Sequence, residues 1–387
     1  MRALLSADFE RFKDDMPRDV AAYVRDAYRI DLTARYLGQP LPHPIGKGSG
    51  QLSLNQRQLE EDAAAGLAFV VLKTVIAQDA AGVKSMAAWA AREAKMKVER
   101  RVVGGADRGW TVTWKGRGWD RSFDEYLALV RTGRDLTRAG SILVVPSVKY
   151  HLPRLGVPFL EGEYRFTTGK LAQVWDEPPL LIEQDFSPTL AGDALAENRA
   201  QVLRWLREVP RLIRESSPIP VRVALKLMNA RFEEGFQHEM MQAAATADAL
   251  VVFNRLFDPH RGVAYGGLDL SERNLRVLSS FSSLSRGTEP SPVRSLCGTG
   301  NVCTGRVLMD YALRGCEAVQ LHTFFQLPLD EYSAHEGSRT QRALHRLIFH
   351  PQDGVIAELW KLEARGVIHR RSGALHFLDV PHARLQS

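Results

Sequence analysis

The sequence predicts an α/β protein, a (β/α)8 TIM barrel with N-terminal helices, a hairpin and a long lid insertion. Short apolar runs alternate with amphipathic helical stretches along most of the 387 residues, a pattern that indicates parallel strands joined by helices. Polar residues stand at the ends of these runs, where the active site of such a barrel lies. Single barrels commonly take about 250 residues before insertions, so one barrel with extensions fits the length.

The residues before the barrel are predicted to form two short helices and a small hairpin. The second helix has an apolar face that includes Val20 and Val24. Residues 30–41 alternate around Gly38-Gln39, which favours a hairpin that could plug one end of the barrel. The predicted division of the chain is 1–42 for the N-terminal helices and capping hairpin, 43–330 for the barrel, and 331–387 for a C-terminal helical extension.

Eight apolar runs are the predicted barrel strands. Six of them lie at residues 43–50, 67–74, 141–147, 180–185, 221–228 and 249–254, and the last two lie within 293–326. In a barrel the carboxyl ends of the strands meet at one face, so polar residues at these ends are candidates for a site. They are Ser49, Lys73, Ser147, Ser187, Lys226, Asn254, Asn301 and His322.

The connection from residue 77 to residue 120 is too long for an ordinary strand-to-helix loop. It is polar and rich in glycine, and it contains Trp110, Trp114, Lys115, Arg117 and Trp119. Connections of this length are either functional lids or disordered insertions. Three tryptophans with two cations favour an ordered lid, in which Trp114 and Trp119 would cover a bound molecule.

The stretch Val293–Gln326 reads as strand, glycine-rich turn, helix and strand. Its turn is Gly298-Thr299-Gly300-Asn301, and an amphipathic helix follows from Thr304 to Arg314. Backbone N–H groups at a strand end and at the next helix N-terminus suit a phosphate dianion. A lone GxGN is more often only a tight turn, so the order of the other strands is what favours a phosphate site.

Composition and charge exclude several classes of protein. The chain is 45% hydrophobic and 25% charged, which is typical of a globular protein. Its apolar runs are all shorter than the roughly 20 residues that span a bilayer, so we expect no membrane span. The net charge of +6 comes without a basic block, so no nucleic-acid partner is expected. The charged N-terminus does not fit a secretory signal, and we expect a cytoplasmic protein.

The three cysteines predict neither a disulfide framework nor a metal centre. Cys297, Cys303 and Cys316 are odd in number and lack C-x-x-C spacing. An iron–sulfur relay within this chain is therefore not expected, although an electron-transfer partner could carry one.

The order of the motifs resembles the dihydroorotate dehydrogenases, which are FMN-dependent barrels. The resemblance runs from about Asp31 to about Gln326. The motifs are weak individually and specific in this order. They are DLTARYLGQPLPHPIGKGSG, FVVLKT, VALKL, VVFN, GTGNVCTG and QLHT.

The resemblance implies FMN as the cofactor and hydride transfer as the reaction. Lys226 would stand beside the flavin N1, where reduction places negative charge. Ser187 takes the place of the family's catalytic base, and because a serine hydroxyl is a weak base it would need a relay. The implied FMN-binding residues are Ser49, Gly50, Lys73, Thr74, Lys226, Asn254, Gly300, Asn301, His322 and Thr323.

The departures from the family concern the substrate more than the cofactor. Members that bind dihydroorotate surround it with four asparagines, and those positions are Trp114, Gln184, Thr189 and Asn254 here. Each lost partner in a buried polar site costs about 1–3 kcal/mol of binding free energy, so orotate should bind poorly. The family's GGLSG loop also differs, because residues 266–270 read GGLDL.

We therefore expect an FMN-dependent oxidoreductase that acts on CH–CH bonds of a cyclic or conjugated small molecule. One alternative is a true dihydroorotate dehydrogenase of pyrimidine biosynthesis. Another is a catalytically silent barrel that serves as a binding or scaffold protein. A sugar-phosphate enzyme is a further alternative, but it would want carboxylates from separate strands, whereas Glu183 and Asp185 share one face of one strand. Barrels of this type often form homodimers.

Overall fold

The computed structural model describes residues 2–87, 95–103, 106–115, 118–186, 199–229, 233–258, 263–284 and 295–383. The protein has an α/β fold, with a curled ten-stranded parallel sheet that makes up at least half of a barrel. Eleven α-helices accompany the sheet in these ranges. Within them, every helix is too short or too polar to cross a bilayer.

The strands are short, and most of them belong to the main sheet. In chain order they are β1 (Ile30–Asp31), β2 (Ala34–Tyr36), β3 (Gln39–Leu41), β4 (Ile45–Lys47), β5 (Phe69–Val71), β6 (Val75–Ile76), β7 (Lys95–Val103), β8 (Ala106–Lys115), β9 (Leu143–Val145), β10 (Ser147–Lys149), β11 (Leu180–Asp185), β12 (Val221–Met228), β13 (Ala249–Asn254), β14 (Leu256–Asp258), β15 (Val263–Tyr265), β16 (Leu296–Thr299), β17 (Cys316–Leu321) and β18 (Leu375–His376).

The helices lie mainly between successive strands of the main sheet. They are α1 (Arg2–Arg11), α2 (Val20–Tyr28), α3 (Gln56–Ala64), α4 (Phe123–Arg138), α5 (Glu161–Trp175), α6 (Arg199–Glu215), α7 (Glu234–Ala243), α8 (Leu268–Leu284), α9 (Gly305–Ala312), α10 (Arg339–Phe349) and α11 (Val355–Ala364).

The strand order of the main sheet is β6-β10-β11-β12-β13-β16-β17-β4-β5-β9. Each of the eight predicted apolar runs contributes at least one of these strands, so the strand predictions are confirmed. Pro146 interrupts the third run between β9 and β10, because proline has no N–H to donate to a neighbouring strand. The last strand ends at Leu321, and a 3-10 helix at Thr323–Gln326 takes up the rest of the stretch that was predicted to close with a strand.

The predicted hairpin is confirmed, and its tyrosine reaches into the sheet. Strands β2 and β3 pair in antiparallel register around Leu37 and Gly38, which both have positive φ. The Tyr36 ring stacks on Phe69 with centroids 4.7 Å apart. Arg222, at the start of β12, donates to Leu37 O at 2.8 Å. The hairpin therefore lies at the amino-terminal end of the strands.

The long connection after the second run contains an ordered hairpin, as a lid requires. Strands β7 and β8 pair with each other, and β8 pairs with β15 through Trp114 and Ala264. Together with β14 they form a four-stranded antiparallel sheet. Because β14 directly follows β13, this sheet is attached to the carboxyl end of a main-sheet strand.

The C-terminal helices hold the two ends of the chain together. His345 in α10 bonds to Phe9 O at 2.8 Å and stacks on the Phe9 ring. Strand β18 pairs in parallel with β1. Arg306 N, at the start of α9, donates to Asp353 O at 2.9 Å. The helices after the sheet thus fix both the N-terminal helices and the beginning of α9.

Gly46 is predicted to be essential for packing of β4 against β5. A Cβ at this position would lie 2.2 Å from a ring carbon of Phe69. Gly46→Ala should therefore lower the unfolding free energy by about 1–3 kcal/mol, the usual cost of overpacking. Urea unfolding followed by circular dichroism measures it.

Gly169 in α5 is the matched control, because a Cβ there meets nothing within 4 Å. Gly169→Ala should raise the unfolding free energy by about 0.5–1 kcal/mol, since alanine is the better helix former. Equal effects of the two substitutions would contradict the packing described for Gly46.

Candidate functional site

A cavity of about 240 Å³ opens at the carboxyl ends of β4, β12, β13, β16 and β17. Carboxyl ends of parallel strands are the usual ligand-binding edge of α/β proteins. Its walls are Gly48, Ser49, Gly109, Trp110, Lys226, Asn254, Arg255, Gly266, Leu268, Leu270, Thr299, Gly300, Asn301, Val302, Cys303, Gln320, Leu321, His322, Thr323, Phe324 and Leu327. Polar groups from several strand ends and from the lid hairpin therefore converge on one space.

A second cavity, of about 440 Å³, lies at the opposite end of the strands. Its walls include the proline-rich segment around Pro40 and Pro42, and its charged residues are Arg18 and Asp19. The Asp19 side chain already caps α2 by accepting from Ala22 N at 2.8 Å. The first cavity therefore offers the richer chemistry, although it is the smaller of the two.

The structure brings most of the predicted cofactor residues together. Those that line the cavity are Ser49, Lys226, Asn254, Gly300, Asn301, His322 and Thr323. Gly50 faces His322, because a Cβ on Gly50 would lie 1.8 Å from His322 Nε2. Thr74 Oγ1 bonds to Ser49 Oγ at 2.9 Å and to Ser147 Oγ at 3.0 Å. Lys73, next to Thr74, is buried.

Fewer of the predicted substrate residues than of the predicted cofactor residues lie at the cavity wall. Asn254 lines the cavity, whereas Gln184 is fully buried with Oε1 accepting from Tyr150 N at 3.2 Å. The structure thus does not bring Gln184 to the cavity wall. Trp114 lies in β8, where its backbone pairs with Met96 and Ala264. Ser187 and Thr189 lie outside the described residues.

Of the two tryptophans that were predicted to cover a bound molecule, Trp119 lies away from the cavity wall. Trp119 is 2% exposed, packs edge-on against Tyr126 and donates Nε1 to Ser122 O at 2.8 Å. It therefore anchors the base of the lid, and the expectation that it covers a ligand is wrong. Gly109 and Trp110 of the lid hairpin line the cavity instead.

Buried side chains fix the shape of the Gly298-Thr299-Gly300-Asn301 turn. Tyr311 OH donates to Thr299 O at 2.9 Å, and Asn274 Nδ2 donates to the same oxygen at 2.8 Å. Gly300 has φ +111°, and a Cβ there would lie 2.9 Å from Asn274 Nδ2. A residue without a side chain is therefore required at position 300, both for its backbone angle and for space.

The turn is followed closely in sequence by α9. Thr304 caps this helix by accepting from Val307 N at 3.2 Å. Asn301 Nδ2 donates to Ser271 Oγ at 3.0 Å, which ties the turn to the loop that begins at Gly266.

Cations dominate the electrostatics around the cavity. Burial, followed by the charges of Arg255, Lys73, Lys226 and Lys47, lowers the pKa of His322 well below its usual value. The imidazole is therefore neutral at pH 7, and its Nδ1 lies 2.6 Å from Gln326 Nε2. Such a concentration of positive charge favours an anionic ligand.

The nearby cations also affect the protonation of Lys73. Burial, followed by the charge of Arg255, lowers the pKa of Lys73 to about 8, while Asp185 and Asp120 act in the opposite direction. Arg255 has φ +23°, an unfavourable backbone angle for a residue with a side chain. It is the residue between β13 and the lid strand β14. Its guanidinium group therefore belongs to the junction of the main sheet and the lid, and the chain adopts a strained backbone angle at this junction.

A buried polar network lies beneath Lys226. Lys226 Nζ donates to Gln320 Oε1 at 3.3 Å and lies 3.7 Å from Glu183 Oε1. Gln320 Nε2 donates to Glu183 Oε2 at 2.6 Å, and Tyr36 OH donates to the same oxygen at 2.7 Å. The hairpin at one end of the strands is thereby connected to the cavity at the other end.

Sequence reasoning missed several residues of this site. Arg255, Trp110 and Gln320 line the cavity but were not predicted as site residues. The sequence pattern could have indicated Glu183 and Gln320, because each is a polar residue in a strand that is largely apolar. Arg255 had no such signal, since a cation just after a strand is usually a surface residue.

A scan against protein-family models and a search of curated proteins both found no match for this chain. The chemistry of the cavity must therefore indicate the function by itself.

Lys73 is predicted to lower the stability of the protein at neutral pH. At pH 7 the folded protein holds a buried ammonium, so Lys73→Met should raise the unfolding free energy by about 1–3 kcal/mol. The folded pKa of about 8 lies below the unfolded value of about 10.4. Between these values the unfolded chain binds more protons, so wild-type stability gains with rising pH. The difference in unfolding free energy between Lys73→Met and the wild type should therefore shrink from pH 8 to pH 10.

Lys170, which is exposed on α5, is the matched control. Lys170→Met should change the unfolding free energy little and by the same amount at every pH. Denaturant unfolding at pH 7, 8, 9 and 10 measures both variants. A Lys73→Met variant that is less stable than the wild type at pH 7 would refute the prediction.

Proposed function

We propose that this protein is an FMN-dependent oxidoreductase that resembles the dihydroorotate dehydrogenases and transfers hydride between flavin N5 and a cyclic or conjugated small molecule. The observation that carries the proposal is that one cavity is lined both by the Gly300-Asn301 turn and by Lys226. A phosphate-binding turn and a buried lysine in one space match the two ends of a flavin nucleotide.

We also propose that the curled sheet is a closed (β/α)8 barrel. Strand pairing supports this: β5 lies in the apolar run 67–74 and β6 directly follows it, whereas β9 lies in the next run, 141–147, at the end of which β10 begins. Strand β5 pairs with β9, and β6 pairs with β10. The same two neighbouring segments of the chain, β5–β6 and β9–β10, therefore pair with each other at both ends of the strand order.

At the phosphate end, backbone geometry supports the proposal. Tyr311 and Asn274 hold the Thr299 carbonyl on the protein side of the turn. We expect the N–H groups of Gly300 and Asn301 to bind the 5′-phosphate, with His322 and Thr323 opposite.

At the ring end, Lys226 is the residue with the clearest chemical task. Bound FMN would supply the hydride-accepting centre at N5. Lys226 would donate a hydrogen bond to the pyrimidine end of the ring, where negative charge develops on reduction. A Cβ on Gly48 would lie 3.2 Å from Gln320 Oε1, which accepts the hydrogen bond from Lys226, so glycine leaves that pair undisturbed. Lys73, which is buried at the end of the second apolar run, would bond to the ring or the ribityl chain.

The substrate pocket indicates a planar molecule other than orotate. Of the four positions that are asparagine in the family, Asn254 alone is asparagine here, and it lines the cavity. Trp110 of the lid offers an aromatic face for stacking. Ser187 remains the proposed proton-transfer residue, which Ser187→Ala tests through loss of turnover with retained flavin. A cytoplasmic location, an electron-transfer partner and a homodimer belong to the same proposal.

Gly300 is predicted to be required for FMN binding. Gly300→Ala should weaken FMN binding at least tenfold, because the added Cβ meets Asn274 and Leu270 and the φ of +111° becomes unfavourable. The visible spectrum of the purified protein, with the cofactor released and identified, is the first measurement. Fluorescence titration with FMN then compares the variants.

Gly315 provides the matched control, because its φ is +92° and it lies outside the cavity wall. Gly315→Ala should lower stability and leave FMN affinity unchanged. A colourless wild-type protein that takes up no FMN would refute the proposal and favour a binding or scaffold role. A change of the flavin spectrum with micromolar orotate would favour a true dihydroorotate dehydrogenase.

A further inference from the structure

Glu183 is a buried carboxylate that the proposed mechanism leaves without a task. Its side chain is 0% exposed, in the middle of β11. Oε2 accepts from Tyr36 OH at 2.7 Å and from Gln320 Nε2 at 2.6 Å. A buried carboxylate that lacked compensating partners would destabilise the fold. Side chains from β2 and β17, which are far from β11 in sequence, therefore both bind this one carboxylate.

The other oxygen of Glu183 faces Lys226. Within the described residues Oε1 has no hydrogen-bond partner, and Lys226 Nζ lies 3.7 Å away. That separation is too long for a hydrogen bond but close enough for strong electrostatic interaction in a buried site. Gln320 Oε1 accepts one Lys226 donor at 3.3 Å. A lysine ammonium has three donors, so others remain for a ligand in the cavity.

We propose that Glu183 is a positioning residue for Lys226 and, by partly offsetting the ammonium charge, sets the reduction potential of a flavin bound above it. This inference rests on the proposed function. A negative charge behind the ammonium weakens the positive field in the cavity. Loss of that negative charge leaves the full ammonium charge to stabilise the reduced, anionic ring.

The midpoint potential of bound FMN at pH 7 tests the inference. Glu183→Gln keeps the shape of the side chain and removes its charge. We expect the oxidised-to-reduced equilibrium to shift about tenfold towards the reduced form, which is about 30 mV for a two-electron couple. An unchanged or a lower potential would overturn the role of Glu183.

Glu163 provides a matched control at a distance from the cavity. It is also a buried glutamate, at 3% exposure, and its oxygens accept from Ser85 N and Ser85 Oγ. Glu163→Gln should leave the potential unchanged. An equal shift in both variants would indicate a general effect of destabilisation and would also overturn the inference.

A double-substitution cycle tests whether Glu183 acts through Lys226. Lys226→Met should lower the potential. In that background Glu183→Gln should shift the potential less than it does in the wild type, because the charge that Glu183 offsets is gone. A shift of undiminished size would show that Glu183 acts without Lys226, contrary to a positioning role.

Tyr36→Phe covers the case in which Glu183→Gln does not fold. This variant keeps the carboxylate charge and removes one hydroxyl that donates to it, so the potential should fall slightly. No shift in Tyr36→Phe would then overturn the inference. A wild-type protein that binds no FMN would overturn the proposed function as well, whereas bound FMN with unshifted potentials would overturn the role of Glu183 alone.

Discussion

Parallel pairing of the last main-sheet strand with the first is the constraint on which the site depends. Val319 pairs with Ile45, and Gly48 N donates to Leu321 O at 2.9 Å. Since both strands run in the same direction, the residues that follow them come together at one edge. Gly50 is thereby placed against His322. A cavity wall is assembled from parts of the chain that are far apart in sequence.

The interior of the sheet is polar where most such sheets are apolar. Tyr36, Glu183, Gln320 and Lys226 form a connected set that is almost entirely withdrawn from water. A set of apolar side chains of the same size would often be at least as stable. The buried charges of Glu183 and Lys226 are therefore a sign of function. The Lys226 ammonium can be kept at the cavity because Glu183 and Gln320 compensate it.

Local sequence patterns predicted the strands, the hairpin and the glycine turn, because each depends on residues close together in the chain. The helix α5 was not predicted, since Gly169 and two threonines, Thr167 and Thr168, interrupt its apolar pattern. The polar network was not predicted either, because Tyr36 lies 147 residues from Glu183 and 284 from Gln320. Which lid tryptophan faces the cavity, Trp110 or Trp119, depends on how the hairpin folds back, and periodicity carries no information on that.

The pairing of β18 with β1 has a consequence for the order in which the chain can fold. Ile30 finds its strand partner only at Leu375, and Ile45 finds one of its partners only at Val319. A chain made from its N-terminus must therefore hold these early segments without their partners during most of synthesis. Contacts of such high sequence separation also slow folding. The β1 segment, whose partner strand is made last, therefore waits longest for its pairing.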